Sequence, residues 1–155
     1  MLIRPAELRD CEAVADMVID LAALFGVRSG TTAGVLQAEA FGPRPTIAII
    51  VAEAGDGVLA GYLVHQDTFS TWRGANGVFV VDLFVKPQWR NDGIGIKLMA
   101  EAARQGIVKG ARFMRLDINE DNSAGRRFYV RYGFRPLDHE RFMVLDEPGL
   151  QALAG

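Results

Sequence analysis

Apolar residues recur along this chain with two periods. Val14, Met17, Val18, Leu21, Leu24 and Phe25 fall three and four positions apart, the spacing that lines one face of an α-helix. That stripe predicts a helix over residues 10 to about 25, with Asp10 as N-cap and Gly26 ending it. A shorter helix is expected over 32–41, before Gly42-Pro43-Arg44-Pro45 breaks the pattern. Residues 2–4 read as a first strand closed by Pro5. Residues 46–53 and 59–65 read as two strands joined as a hairpin around Ala54-Gly55-Asp56-Gly57. The polar, glycine-containing stretch 69–77 reads as a loop, and the apolar stretch 78–85 as a strand. A helix follows over 93 to about 109, with Ile96, Met99, Ala103 and Ile107 on one face and Gly110 at its end. The remainder predicts a strand at 113–119, a helix at 123–132 stopped by Gly133, and a last short strand at 142–145. Antiparallel strands passing into strand-helix-strand crossovers imply an α/β (α+β) fold, a mixed sheet with helices on both faces.

Composition narrows this. A chain of 155 residues that is 50% hydrophobic suits one core, and no repeat or Pro/Ser-rich linker divides it, so a single domain over 1–155 is expected. The 17 basic and 19 acidic residues nearly cancel, and the basic ones are scattered, which argues against a nucleic-acid partner. The longest apolar run, residues 47–52, is far short of a membrane span, and the first residues lack the layout of a secretory signal. No membrane partner and a cytoplasmic location are therefore the expectations. One cysteine, Cys11, and two histidines, His65 and His139, leave little from which to build a metal site, and none is expected.

The chemistry-bearing stretch is Arg90-Asn91-Asp92-Gly93-Ile94-Gly95, lying between the strand that ends near Val85 and the next helix. Glycines let a backbone approach a phosphate closely, and a helix start offers free amides and the positive dipole end. The same glycines serve a tight strand-to-helix turn for steric reasons alone. The dinucleotide fingerprint needs a third glycine and the Walker loop needs Gly-Lys-Ser/Thr; neither is present.

This loop resembles the acetyl-CoA loop of the Gcn5-related N-acetyltransferase (GNAT) superfamily, Arg/Gln-x-x-Gly-x-Gly/Ala after a strand. A second signature stands in order behind it: Asn122, then Phe128-Tyr129, then Gly133-Phe134. The resemblance implies a GNAT fold, with a mixed, mostly antiparallel sheet of about six to seven strands and helices on both faces. Within the superfamily the chain is similar to the diamine (spermidine/spermine) acetyltransferase group through Ile3-Arg4-Pro5-Ala6 with Asp10-Cys11, Val51-Ala52-Glu53, Gly61-Tyr62, and Trp72 before Asp82-Leu83-Phe84-Val85. It departs where that group has acidic residues: Val81 stands before the strand aspartate and Phe25 near the end of the first helix. A site without those carboxylates should prefer a smaller or less charged amine than a polyamine.

The resemblance implies transfer of an acetyl group from acetyl-CoA, as co-substrate and without a metal, to the primary amine of a small molecule by direct attack on the thioester. It places the pantetheine arm along Leu83, Phe84 and Val85, pairing with backbone of Leu83 and Val85 like an added strand. The amides of Asn91, Asp92, Gly93, Ile94, Gly95 and Ile96 would hold the pyrophosphate, with Arg90 as an added cation, and Asn122 would contact the arm from the other side. Tyr129 becomes the general acid at the departing sulfur, with a core aromatic as its plainer alternative and Tyr132 nearby. Asp82 is the first choice of base, against a locally bonded strand-end aspartate; Glu53, His65, Asp67 and Asp117 are weaker candidates. Cys11 is expected to be buried and inert. Phe69 and Trp72 would line an acceptor pocket or a contact between copies, and a homodimer is expected from the family. Two other readings stand beside this one: a protein or peptide N-acetyltransferase, and a CoA-binding module without chemistry.

Overall fold

Five strands form one sheet in sequence order: β1 (Leu2–Pro5), β2 (Ala48–Gly55), β3 (Val58–Ser70), β4 (Ala75–Val85) and β5 (Phe113–Leu116). The first four pair antiparallel, and β5 lies parallel to β4. The helices are α1 (Cys11–Ala23), α2 (Ala33–Phe41), α3 (Ile94–Val108), α4 (Ser123–Arg131) and α5 (Glu147–Ala154). This computed structural model describes residues 1–137, 140 and 143–154. They divide into two units, Met1–Asp117 and Ile118–Gly155, taken separately below.

In the first unit, α1 and α2 cover one face of the sheet. Cys11, Val14, Met17 and Leu36 pack with Ile49, Val51, Tyr62, Val64 and Phe84 in one buried cluster. Because strand side chains alternate, their buried neighbours Ile50, Ala52 and Leu63 turn the other way. On that face α3 crosses β1 to β4. Its Gly106 sits so close to the sheet that an added Cβ would fall 2.2 Å from Val78 Cγ2. The mixed sheet with helices on both faces is as expected, with five strands among the described residues instead of six or seven.

Three local expectations change. Asp10 holds the N-cap position of α1 as expected, but its side chain makes no cap bond there: its carboxylate accepts the Glu7 N–H (2.7 Å), fixing a single 3-10 turn over Leu8–Asp10 before α1 starts. The expected loop at 69–77 is mostly strand, with β3 running to Ser70 and β4 starting at Ala75 around a tight turn. Backbone pairing carries this hairpin beyond the core, where polar side chains face water without cost. The expected last strand at 142–145 has Phe142 outside the described residues, as is His139, while Met143 to Leu145 are not in a strand and α5 follows. Among the described residues no helix is long and apolar enough to cross a membrane.

Candidate active site

The site begins where two strands part. β5 pairs with β4 only over the residues from Gly77 to Val80, so from Val81 to Val85 the β5 side of β4 has no strand partner among the described residues. On its other side β4 stays paired with β3, Asp82 opposite Val64, Leu83 opposite Leu63, Phe84 opposite Tyr62 and Val85 opposite Gly61. Gly61 permits that closeness, since a Cβ there would lie 2.5 Å from the Phe84 carbonyl oxygen. An open strand edge of this kind presents N–H and C=O groups to an extended ligand.

Beyond Val85 the chain makes a 3-10 turn over Pro87–Trp89. Arg90 then folds back, its Nε donating to the Val85 carbonyl (2.9 Å) and its guanidinium lying 5.8 Å from the centre of the Phe84 ring. Asn91 and Gly93 both take φ of 71°, the left-handed region that a glycine enters freely and an asparagine tolerates. Those two residues turn the loop so that α3 starts at Ile94 with Gly93 as N-cap. No backbone N–H from Asn91 to Ile96 makes a hydrogen bond of ordinary length and angle to a described residue, although Asp92 closes the turn over Arg90 and Asn91. A run of such amides at the positive end of a four-turn helix is a cradle for a phosphate or diphosphate. These residues therefore fit the pyrophosphate of a CoA thioester.

Asp82 lies beside this edge, half-buried. Burial pushes its carboxyl above the ordinary aspartate range, and the hydroxyl of Tyr62 acts in the opposite sense. Tyr62 is fully buried, and burial, then the Asp82 charge, push its phenol well up, so it stays protonated. The two groups are near enough to influence each other, yet no hydrogen bond of ordinary length and angle joins the Tyr62 hydroxyl to any described residue. In the sequence Tyr62 figures only in the Gly61-Tyr62 resemblance, which gives it no role.

Three of the four weaker base candidates, Glu53, Asp67 and His65, are engaged elsewhere. Glu53 accepts from Arg4 Nε at 2.7 Å, and Asp67 pairs with Lys109 at 3.0 Å on the surface. His65 is buried beside Gln105 (3.2 Å), and burial pushes its imidazole down toward the neutral form. It lines a cavity of about 290 Å³ with Phe41, Ile47, Gln105 and Lys109, toward the C-terminal end of α3, which includes neither Asp82 nor the glycine loop. Asp117 is exposed just after β5, with its carboxyl pushed up by burial against the pull of Arg115. Val81 is 43% exposed on β4 and Phe25 lies past the end of α1. Cys11 is buried and its thiol is pushed up by burial, as expected of an inert thiol. Trp72 and Phe69 stand exposed on the β3–β4 hairpin.

The second unit holds the other motif. Asn122 is the N-cap of α4, its Oδ1 accepting the Gly125 N–H at 2.8 Å. An added Cβ at Gly125 would press to 2.6 Å from the Asn122 amide, so the glycine makes room for the cap. On α4 the Tyr129 ring meets Phe128 and Phe134 edge-on, at 5.2 and 5.5 Å between centres. The motif residues thus brace one another, and the phenol belongs to an aromatic cluster rather than to an isolated side chain.

A family model of the acetyltransferase (GNAT) domain matches residues 45–136. The thialysine N-epsilon-acetyltransferase of Sus scrofa is 30% identical over 146 residues, covering 88% of this chain and 85% of that protein. Among solved structures, an integron cassette protein from the mobile metagenome of V. cholerae superposes with a TM-score of 0.80 at 20% identity, covering 99% of this chain and 96% of that one. The aminoglycoside N-acetyltransferase AAC(6')-Iy in complex with CoA superposes at 0.71 with 23% identity, covering 94% of this chain and 98% of that one. The chain belongs to the GNAT acetyltransferase family. It is an acyltransferase that uses acetyl-CoA.

Proposed function

We propose that this protein acetylates the primary amine of a small molecule carrying fewer positive charges than a polyamine. The observation that carries the reading is the run of amides from Asn91 to Ile96 that make no ordinary hydrogen bond to a described residue, next to an unpaired strand edge and a half-buried aspartate. The similarity to the thialysine enzyme over most of both chains supports the small-molecule acceptor. Val81 and Phe25, where acidic residues would hold a polyamine ammonium, argue for the lower charge.

Acetyl-CoA, when bound, supplies an acyl group already activated as a thioester. The amides from Asn91 to Ile96 bind its pyrophosphate and Arg90 adds a cation, while the open β4 edge at Leu83, Phe84 and Val85 receives the pantetheine arm. Asp82 takes the proton from the incoming ammonium; the amine nitrogen bonds to the acyl carbon as the carbon–sulfur bond breaks, and Tyr129 gives a proton to the sulfur. The second proton, shed by the new amide nitrogen, restores the Tyr129 phenol, leaving one proton on Asp82 to pass to solvent. The roles of Tyr129 and Asn122 rest on their motif. The reading includes one acetyltransferase domain, since the family match at 45–136 runs across the boundary between the two units. It also includes a cytoplasmic homodimer, supported by the family resemblance and by the exposed aromatics of the hairpin.

The test is thiol release from acetyl-CoA with lysine analogues, aminoglycosides, diamines, polyamines and a lysine peptide offered side by side. Turnover is expected on one class of small monoamines or diamines. Preference for the peptide would replace this acceptor with a protein, and binding without turnover on any amine would favour the module without chemistry.

A further inference from the structure

The pairing of β3 with β4 sets two polar side chains on the α1 side of the sheet. Tyr62 stands opposite Phe84, and two residues back along β4 Asp82 stands opposite Val64. Such diagonal neighbours lie about 7–8 Å apart at the backbone, within reach of a side chain as long as tyrosine. The Tyr62 ring is held in the core, tilted against Phe84 with centres 6.3 Å apart, so its hydroxyl has little freedom. That hydroxyl is buried without an ordinary hydrogen bond among the described residues, a state that proteins seldom leave unused.

Among the described residues, the Asp82 charge acts on the Tyr62 phenol and the Tyr62 hydroxyl acts on the Asp82 carboxyl. Cys11 and Asp10 at the start of α1, Arg115 on β5 and Asp117 after it make no contribution to either. The Tyr62 ring shares its buried cluster with Val64, Phe84 and side chains of α1 and α2.

We propose that Tyr62 is a positioning residue for acetyl transfer, its hydroxyl holding the Asp82 carboxylate in one orientation next to the point where β4 and β5 part. The inference rests on Asp82 being the base of the proposed reaction. A donor to the ionised carboxylate favours the charged form and offsets part of the effect of burial. The base is thus kept in its proton-accepting form while remaining more basic than a surface aspartate. A phenol anchored in the core is suited to this, because it cannot swing away when a substrate enters.

The test follows the Asp82 side-chain carbon by NMR through an acid titration of the free protein, assigned with Asp82→Asn. Tyr62→Phe is expected to raise the Asp82 midpoint by on the order of one pH unit, and 3-fluorotyrosine at position 62, a stronger donor, to lower it. In kinetics, the ratio of kcat/KM for Tyr62→Phe to that of the unaltered protein cancels the ionisation of the amine. It is expected to fall about tenfold from neutral pH to the acid side of the Asp82 titration. An unmoved Asp82 titration in both variants, or in the fluorotyrosine protein alone should Tyr62→Phe not fold, overturns the inference. Full activity of Asp82→Asn overturns the base assignment instead, while a shifted titration still shows the Tyr62 contact.

Discussion

Arg4 grips Asp10 with both arms of its guanidinium: Nη1 donates to Oδ2 at 2.7 Å and Nη2 to Oδ1 at 3.1 Å, while its Nε donates to Glu53 at 2.7 Å. Asp10 is 6% exposed, so this pair ties the turn before α1 to strands β1 and β2 with little help from water. Removing one member leaves a poorly hydrated charge, and Asp10→Ala is expected to cost on the order of 3 kcal/mol. Urea unfolding at neutral pH measures it.

The same pair sets a pH dependence. Burial opposes ionisation of Asp10, but the hydrogen bond from Arg4 and then the Glu7 N–H outweigh it and hold the carboxyl below the ordinary aspartate range. A carboxylate with a lowered folded-state pKa stabilises the fold above its unfolded value, and that stabilisation disappears as pH falls through the folded value. Stability is therefore expected to decline below about pH 4, and to decline less steeply in Asp10→Asn, in unfolding curves taken at stepped pH.

Helix α3 depends on a missing side chain. With only 2.2 Å between a Cβ at position 106 and Val78 Cγ2, Gly106→Ala is expected to lose about 1–3 kcal/mol through overpacking. Val78→Ala in the same chain should restore part of the loss, a coupling that a double-mutant cycle of melting curves reads directly.

Tyr129→Phe keeps the ring contacts with Phe128 and Phe134 and removes only the hydroxyl. Its kcat is expected to fall about a hundredfold, with acetyl-CoA affinity little changed. Unchanged turnover with weakened binding would reassign the phenol to holding the co-substrate.

The glycine loop was legible in the sequence because every part of it is local: strand end, arginine, two glycines and a helix start follow one another in the chain. So was α1, whose Val14 and Met17 face a core, although Leu24 and Phe25 lie exposed past its end. Helix α3 was legible as a helix but not by its face: it buries Ile94, Leu98, Met99, Ala102 and Gly106, so of the stripe read from the sequence Met99 is buried while Ile107 is 68% exposed. The hairpin ends around Trp72 were not legible, since those strands are held by backbone pairing outside the core and show no apolar pattern. Asp10 was correctly marked as a helix-start residue, yet its partner Arg4 and its service to the preceding turn depend on β1 lying alongside. The neighbour of Asp82 was also hidden. It is set by the register of β3 on β4 and by the irregularity between Val64 and His65, and neither leaves a mark in residue type.

The account turns on the loop from Arg90 to Gly95, and calorimetric titration of acetyl-CoA into the unaltered protein and into Gly93→Val tests it most directly. The nearest atom to a Cβ at Gly93 is 4.0 Å away, so the substitution acts through the left-handed φ of 71° and not through a clash. It should cost about 2 kcal/mol of backbone strain, or a reshaped loop. Saturable binding to the unaltered protein, weakened at least about tenfold in a Gly93→Val protein that still melts cooperatively, is the predicted result. Equal affinity in both, or no binding to the unaltered protein, would contradict it.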